Sequence, residues 1–163
     1  MTEPGKAHVV RPDEAESFWQ PVPANGYVEV RLSHRRDPTI TNLSTGIQVI
    51  AEGCYIREHV HPHQEELLFF FEGTGEAVID GEAHPLVPGT TVYVGAGRWH
   101  KFVNTGKGAL KMNWVMVPGG DDGLDDFFAR IGRHRKPGEP APEPFARPAD
   151  VLQIEAETVF AHR

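Results

Sequence analysis

Short apolar segments separated by glycine- and proline-containing turns run from residue 27 to residue 117, and this pattern constrains the fold more than any other feature. Residues 27–32 alternate apolar and polar side chains, as a strand with one buried face does. Asp80-Gly81 lies between two such segments and is typical of a tight hairpin turn, whose central residues need positive φ. The remaining segments are 46–50, 67–71, 75–79, 82–87, 90–94, 99–103 and 110–117. Many short antiparallel strands at this spacing predict an all-β sandwich or small barrel.

Residues 67–71 are apolar at every position. A strand that is apolar on both faces is expected to be buried on both. Aromatic residues on the predicted strands are expected in the core for the same reason. These aromatic residues are Phe69, Phe71, Tyr93, Trp99, Phe102 and Trp114.

The chain divides into three parts around this predicted barrel. Residues 1–25 are interpreted as an N-terminal arm, in which Phe18 and Trp19 pack on the core or on a second subunit. Residues 26–118 form the barrel itself. Residues 119–163 are interpreted as a C-terminal extension that contains helix and proline-rich chain.

The extension begins with a period typical of a helix. Apolar residues at i, i+3, i+4 and i+7 predict an amphipathic helix over residues 121–131, which Gly132 ends. Residues 136–148 are rich in proline and are expected to form an extended strap. Residues 150–160 are expected to close the chain as a last helix, capped by Asp150. We expect this tail to pack against the outside of the barrel and to stabilise it.

Composition excludes several classes of protein. The net charge is −7 and no long basic run is present, which argues against binding of nucleic acid. The longest apolar run is far shorter than the roughly 18 residues that a membrane span needs. A single cysteine excludes an internal disulfide and a four-cysteine zinc site. The first residues contain no apolar stretch typical of a secretory signal, and we expect a soluble cytoplasmic protein without membrane contact.

Histidines and carboxylates are concentrated in one short segment. His59 and His61 are two residues apart, so both project from the same face of a strand. Pro62 interrupts that strand, and Glu65 and Glu66 can therefore return to the same point. Two imidazoles and a nearby carboxylate are side chains that bind divalent metals in proteins.

A second segment adds one more histidine. Gly95 and Gly97 allow a bend that a side chain would obstruct, and His100 and Asn104 follow it. A lone histidine at a strand end is more often a surface or hydrogen-bonded residue than a ligand. The argument for a metal site therefore depends on both segments together.

Together the two segments resemble the two motifs of the cupin superfamily. The first motif, G-x5-H-x-H-x4-E-x6-G, runs from Gly53 to Gly73. The second runs from Gly89 to Asn104 and lacks only its proline, for which Gly95 stands. The resemblance covers residues 53–104. It implies a double-stranded β-helix, or jelly-roll, barrel with a metal inside its mouth and a C-terminal helical extension outside the motif.

The resemblance also implies a ligand set. Its four members are His59, His61, Glu66 and His100. Three imidazoles and one carboxylate suit one divalent transition metal per chain, and Fe, Mn, Ni, Cu and Zn remain open. Glu65 fits a shorter spacing after His61, but only Glu66 also leaves six residues before Gly73. His63 is a further alternative, as a ligand or in the surroundings of the ligands.

A barrel of this kind does not name a reaction. The first class that the resemblance implies is a metal-dependent enzyme with dioxygenase-like chemistry on a small organic substrate, in which Glu66 doubles as a base. An alternative is a non-redox isomerase, lyase or polyketide cyclase, in which the metal polarises a carbonyl. A second alternative is a non-catalytic cupin that binds a small molecule.

Two further expectations concern the surroundings of the barrel. The exposed apolar area of the N-terminal arm and of residues 67–71 predicts a homodimer. His134 and His162 in the tail are expected to be structural or solvent-exposed rather than metal ligands.

Overall fold

The computed structural model describes residues 5–120 and 123–161, and these ranges contain eleven strands and two helices. The strands are β1 (Glu16–Trp19), β2 (Tyr27–Leu32), β3 (Ser44–Ile50), β4 (Tyr55–His59), β5 (Glu65–Glu72), β6 (Gly75–Ile79), β7 (Glu82–Leu86), β8 (Thr91–Val94), β9 (His100–Val103), β10 (Leu110–Val117) and β11 (Arg133–His134). The helices are α1 (Leu124–Ile131) and α2 (Val151–Ala156). None of the helices in the described ranges is long and apolar enough to cross a membrane.

Two antiparallel sheets enclose one core. The larger sheet has the order β11-β1-β2-β3-β10-β5-β8, and the smaller has the order β4-β9-β6-β7. Side chains of both sheets meet in a single buried cluster, for example Val30 of β2, Phe70 of β5 and Phe102 of β9. The turn between β6 and β7 has positive φ at Asp80 and Gly81, as the hairpin motif predicts. The all-β jelly-roll class and its C-terminal helices are thereby confirmed.

Strand β5 corrects one sequence expectation. Its burial alternates strictly, so Glu66, Leu68 and Phe70 face the interior while the residues between them face outward. Leu67 and Phe69 are each 44% exposed, and Phe71 is 39% exposed. The prediction that both faces of this strand are buried is therefore wrong for one chain considered alone.

The same outer surface continues onto the neighbouring strands. Tyr93 of β8 pairs with Leu67 and is 59% exposed, and Val117 of β10 is 42% exposed. The core expectation is thus wrong for Phe69, Phe71 and Tyr93. Trp99 is half-buried, whereas Phe102 and Trp114 are fully buried as expected.

The N-terminal arm contributes a strand to the larger sheet. Strand β1 pairs with β2, and its Phe18 and Trp19 are buried within the same chain. Of the two packing sites that the sequence left open for this pair, the structure shows the core. The apolar area of the arm is therefore not available to a second subunit.

The tail wraps the barrel in three steps. Helix α1 buries Leu124, Phe127, Phe128 and Ile131, the apolar stripe that the sequence predicts. The predicted first residues of this helix, Asp121 and Asp122, lie outside the described residues.

The proline-rich strap and helix α2 are the other two parts of the tail that pack around the barrel. The strap over residues 136–148 is extended, and the carbonyl of Phe145 accepts a hydrogen bond from the backbone N–H of Val22. Helix α2 follows with Asp150 at its N-cap position, but the Asp150 side chain makes no capping hydrogen bond. The prediction that Asp150 lies at the N-cap is therefore confirmed, and the prediction that its side chain caps the helix is wrong.

Candidate metal centre

Four residues from the two motifs converge at one end of the barrel. His59 ends β4 and lies directly opposite His100, the first residue of β9. His61 follows β4 by two residues, and Glu66 projects inward from β5. One nitrogen or oxygen atom from each of the four lies within 4.8 Å of the other three. An ion about 2.1 Å from each would hold any two of them at most about 4.2 Å apart, so the four side chains would move closer together on binding it.

Backbone contacts in the turns hold these strands in register. The N–H of Gly97 donates to the carbonyl of His61 at 2.9 Å, and φ of +79° at Gly97 allows this close approach. The buried amide of Asn104 donates to the carbonyls of Ile50, Ala51 and Gly108 at 2.8–3.0 Å. The glycine and asparagine of the second motif therefore fix the loops that bring His100 to His61.

Each histidine of the cluster is oriented by a backbone carbonyl. The Nδ1 atoms of His59, His61 and His100 lie 2.7, 2.9 and 2.9 Å from the carbonyl oxygens of Arg57, Val159 and Arg98 respectively. A carbonyl oxygen only accepts, so each Nδ1 carries the proton and each Nε2 presents a lone pair. Such a fixed tautomer is the arrangement typical of metal-binding histidines.

The atoms that face one another in the cluster are buried without hydrogen-bond partners. They are His61 Nε2, His100 Nε2 and Glu66 Oε2. Glu66 Oε2 lies 3.2 Å from His100 Nε2 and 3.9 Å from His61 Nε2, and the second distance is too long for a hydrogen bond. Burying such atoms unpaired costs free energy, and a shared cation would remove that cost. The donor set therefore fits a metal ion.

Electrostatics support the same conclusion. Burial lowers the pKa of His61 and lowers that of His59 well below 6.5, with the neighbouring imidazoles adding to the effect at His59. Burial alone would raise the pKa of Glu66, but His100 and His61 lower it by more, and the net pKa lies below 4.5. Against the effect of burial, contact with Glu66 raises the pKa of the third imidazole, His100, above 6.5. Above the pKa of His100 all three imidazoles are neutral around an ionised carboxylate, and this negative charge favours a cation.

The two alternatives that the sequence raised lie away from this point. Glu65 is exposed on the outer face of β5, and His63 is exposed in the turn before it. The structure therefore brings Glu66, and neither of these two, to the other three residues. Four further histidines in the described part of the chain also lie outside the cluster, namely His8, His34, His84 and His134. His134 is exposed on β11, and His162 lies outside the described residues.

The tail contributes to the site in a way that the sequence does not reveal. The carbonyl of Val159 orients His61, and the ring of Phe160 lies 5.0 Å from the ring of His61 and 5.4 Å from that of His59. The N–H of Ala161 donates to the carbonyl of Val60, which ties the end of the tail to the first motif. The tail thus does more than pack against the barrel: it supplies no member of the cluster, as expected, but it orients one of them. No motif marks these residues, because a backbone acceptor can belong to any residue type.

Two adjoining cavities lead to the cluster. One, of about 70 Å³, is lined by His59 and Glu66 and by apolar side chains of α1 such as Phe127. The other, of about 230 Å³, lies beside Trp99 and Ala161. Both cavities are lined by Arg57, His59, Glu155 and Phe160. A small molecule in either cavity would therefore lie next to the cluster.

Comparison with known proteins agrees with the motif and the fold. Residues 46–117 match the model of the cupin domain family. A curated relative, polyketide synthase CurC of Streptomyces cyaneus, is 32% identical over 73 residues, which are 45% of this chain and 47% of that protein. The chain thus spans about half the length of this relative.

Solved structures show the same architecture. A predicted oxalate decarboxylase from Thermotoga maritima has a TM-score of 0.59 and 22% identity, over 68% of this chain and 99% of that one. The polyketide cyclase RemF from Streptomyces resistomycificus has a TM-score of 0.59 and 14% identity, over 69% of this chain and 80% of that one. At these identities the likeness shows the fold alone. With the motif, the domain match and the fold in agreement, residues 46–117 of the chain form a cupin domain.

Proposed function

We propose that the chain is a metal-dependent enzyme that promotes enolate formation in a small organic substrate, in the manner of a polyketide cyclase. The observation that carries the proposal is the set of buried, unpartnered donor atoms of His61, His100 and Glu66 at the end of a largely apolar cavity. The similarity to a protein named polyketide synthase supports the substrate class.

The proposed ligands are His59, His61, Glu66 and His100. A divalent transition metal bound to them would supply Lewis acidity that polarises a substrate carbonyl. The imidazoles are fixed by their backbone carbonyls, so little reorganisation is needed when the group is bound.

Glu66 is the proposed proton acceptor. It lines the cavity and its pKa lies below 4.5, so its carboxylate is ionised at neutral pH. A carbon acid between two carbonyls that enters the cavity comes next to this carboxylate. Because Oε2 faces the imidazoles and would bind the metal, the other carboxylate oxygen, Oε1, would take the proton. The buried position of Glu66 keeps bulk water from competing for that proton.

The walls of the cavity select the substrate by polarity and size. Phe102 lines the barrel interior, and Phe127 and Phe160 pack against each other with ring centroids 4.5 Å apart. These surfaces are apolar, so a hydrocarbon or aromatic portion of the substrate would lie against them. The small volume excludes a large folded partner from the cluster.

Dioxygenase-like chemistry at the same site is the second candidate. The observation that favours it is the donor set itself, since three imidazoles and a carboxylate suit Fe, Mn, Ni and Cu as well as Zn. In that case the same substrate-binding residues and the same base would act, and molecular oxygen would be consumed. Oxygen uptake therefore separates the two candidates.

The experiment begins with chelated protein that is reconstituted separately with Zn²⁺, Mn²⁺ and Fe²⁺ and then freed of unbound metal. Acetylacetone serves as a minimal 1,3-diketone probe, and deuterium exchange at its central carbon is followed by NMR while an electrode records oxygen. We expect metal-dependent exchange without oxygen uptake. Oxygen consumption with a redox metal would instead support the dioxygenase.

Variants locate the reaction in the protein. His61→Ala and His100→Ala should lose the protein-dependent exchange together with the metal, whereas His63→Ala, outside the cluster, should keep both. If the reconstituted protein holds one metal per chain but neither exchanges the probe nor consumes oxygen, the enzymatic proposal fails and a non-catalytic binding cupin remains.

A further inference from the structure

Two arginines share one carboxylate beside the cluster. Arg57 lies on β4 two residues before His59, and Arg147 lies in the strap. Both donate through a terminal nitrogen to the same oxygen, Oε1, of Glu155 on α2. These contacts tie three separate elements together at the edge of the cavities.

The charges of this triad do not balance. Two guanidinium groups face one carboxylate, so these three side chains together carry a net charge of +1. The side chains of Glu155 and Arg147 are 4% and 18% exposed, which limits how much water can screen the charge there, whereas that of Arg57 is 40% exposed.

Most N–H donors of the two arginines also have no protein acceptor within the described ranges. A guanidinium carries five N–H donors. Within the described ranges, Arg57 and Arg147 each direct one terminal nitrogen to Glu155 and make no other side-chain hydrogen bond. A group with two acceptor oxygens and one negative charge would use the remaining donors and neutralise the excess charge.

The triad faces the cavities that contain the cluster. Arg57, Arg147 and Glu155 line the smaller cavity together with His59 and Glu66. Arg57 and Glu155 also line the larger cavity. One small molecule can therefore reach the cluster with one end and the arginines with the other.

We propose that Arg57 and Arg147 bind a carboxylate of the substrate, so that the enzyme acts on a carboxylate-bearing 1,3-diketone rather than on a neutral one. This inference rests on the proposed function, because it assumes that the carbonyls of the same molecule lie at the cluster. Glu155 holds the two guanidinium groups together and is a positioning residue in this arrangement. If the arginines only fasten α2 to the barrel, a carboxylate on the ligand changes nothing.

The test compares 5,7-dioxooctanoate with its methyl ester. Three methylene groups separate the carboxylate from the diketone. The carboxylate can therefore reach the arginines while the diketone lies at the cluster. Dissociation constants are measured by titration calorimetry on the full chain reconstituted with Zn²⁺. We expect the acid to bind about tenfold more tightly than the ester, the effect of a charge-assisted hydrogen-bond pair.

Arg147→Gln should remove this preference, and Arg147→Lys should restore part of it. Arg130→Gln is the matched control, because Arg130 also pairs with a carboxylate of the tail, Glu157, but does not line either cavity. If Arg147→Gln does not fold, the wild-type protein provides the test through salt, since added NaCl should weaken binding of the acid and leave the ester unchanged.

Equal affinity of the wild-type protein for acid and ester overturns the inference, as does a preference that survives both Arg147→Gln and Arg57→Gln. Deuterium exchange is measured in the same samples. Exchange of both probes without a preference overturns the inference and leaves the proposed function intact. A preference for the acid without deuterium exchange of either probe supports the inference about the arginines and contradicts the proposed function.

Discussion

The two faces of strand β5 differ in burial: the inner face is buried and the outer face is exposed. The inner face carries Glu66, Leu68 and Phe70, all buried, and its open end is covered by the tail. The outer face carries Leu67, Phe69 and Phe71, which nothing in the described part of the chain covers. Both faces carry apolar side chains, yet the helix and strap of the tail cover only one of them.

The difference assigns a role to the tail. Apolar surface is removed from water where α1 and α2 close the barrel end, and this is the end at which the four donor residues meet. The tail is thus a part of the site, through Val159 and Phe160, as well as a support for the fold. The outer face of β5 stays exposed in the single chain.

The most direct test of this comparison replaces two adjacent glutamates, one on each face of β5, separately by alanine. Glu66→Ala removes an inward donor and should lower metal affinity by more than the roughly 10–100-fold that loss of an outer partner of a ligand costs. Glu65→Ala removes the same group from the outward position and should leave metal content at one per chain. Mass spectrometry of the native protein measures both.

The comparison breaks if the two variants behave alike. Full metal retention in Glu66→Ala would remove this residue from the proposed ligand set. Loss of metal in Glu65→Ala, with an unchanged circular dichroism spectrum, would show that the carboxylate ligand comes from the outer position.

The second prediction compares stability on the covered and the bare surface. Phe128 of α1 is 4% exposed and packs against Trp114 with ring centroids 5.9 Å apart. Phe128→Ala should lower the free energy of unfolding by about 3–5 kcal/mol, because it leaves a cavity in the core. Phe69→Ala, at 44% exposure, should cost less than about 1 kcal/mol in the isolated chain. Urea denaturation at low protein concentration provides both values.

Much of the fold follows from local patterns in the sequence. The alternation in residues 27–32 and the Asp80-Gly81 turn predict β2 and the β6–β7 hairpin correctly because both depend on neighbouring residues only. The resemblance to the cupin motifs predicts that His59, His61, Glu66 and His100 converge, and the structure brings the four together. Helix α1 also follows from its period.

The remaining features depend on contacts between distant residues. The five apolar residues 67–71 cannot show by themselves that one face stays uncovered, since burial depends on what packs there. The capping bond expected of Asp150 is absent although its residue type is favourable. The contact of Val159 with His61 spans 98 residues and uses a backbone carbonyl, so no side-chain pattern could predict it.

The third prediction concerns the bare face. Phe18 and Trp19 no longer support a homodimer, since both are buried in their own chain. The exposed surface of Leu67, Phe69 and Tyr93 still does, because it is contiguous across β5 and β8 and apolar. We expect light scattering to show twice the mass of one chain at micromolar concentration. Phe69→Glu should convert this dimer to a folded monomer, and Lys101→Glu, on the smaller sheet, should not.

A mass of one chain for the wild-type protein at those concentrations would contradict the homodimer. In that case the outer face of β5 would be exposed in solution. The comparison between a covered and an uncovered face would then hold without an oligomer.

The fourth prediction tests the tail as a part of the site. Phe160 covers the rings of His59 and His61 without offering a donor atom. Phe160→Ala should admit water to the cluster and lower metal affinity by roughly tenfold, within the range for groups that surround metal ligands. Phe160→Leu retains apolar cover and should keep most of the affinity. Metal affinity is measured by competition with a coloured chelator, and equal affinity of all three proteins would reduce the role of this residue to packing.

The smallest expected effect is the dependence of metal affinity on pH, and its sign follows from the inner face of the barrel. Burial alone would lower the pKa of His100, but its contact with Glu66 raises it above 6.5 in the metal-free protein. A raised pKa means that a proton occupies this imidazole at a higher pH than usual and competes there with the metal. Below that pKa the affinity should therefore fall by about tenfold per pH unit, as displacement of one proton requires.

The other members of the cluster should not contribute in this range. The pKa values of His59 and His61 are lowered, so both stay neutral as the pH falls through 6.5, and Glu66 stays ionised to below 4.5. The proton competition should therefore have a slope of one, with its onset at or above pH 6.5. Affinities measured with the same chelator between pH 5.5 and pH 8 provide the curve. A slope of two or more would mean that His59 or His61 also holds a proton, and a flat curve would mean that His100 is not a ligand.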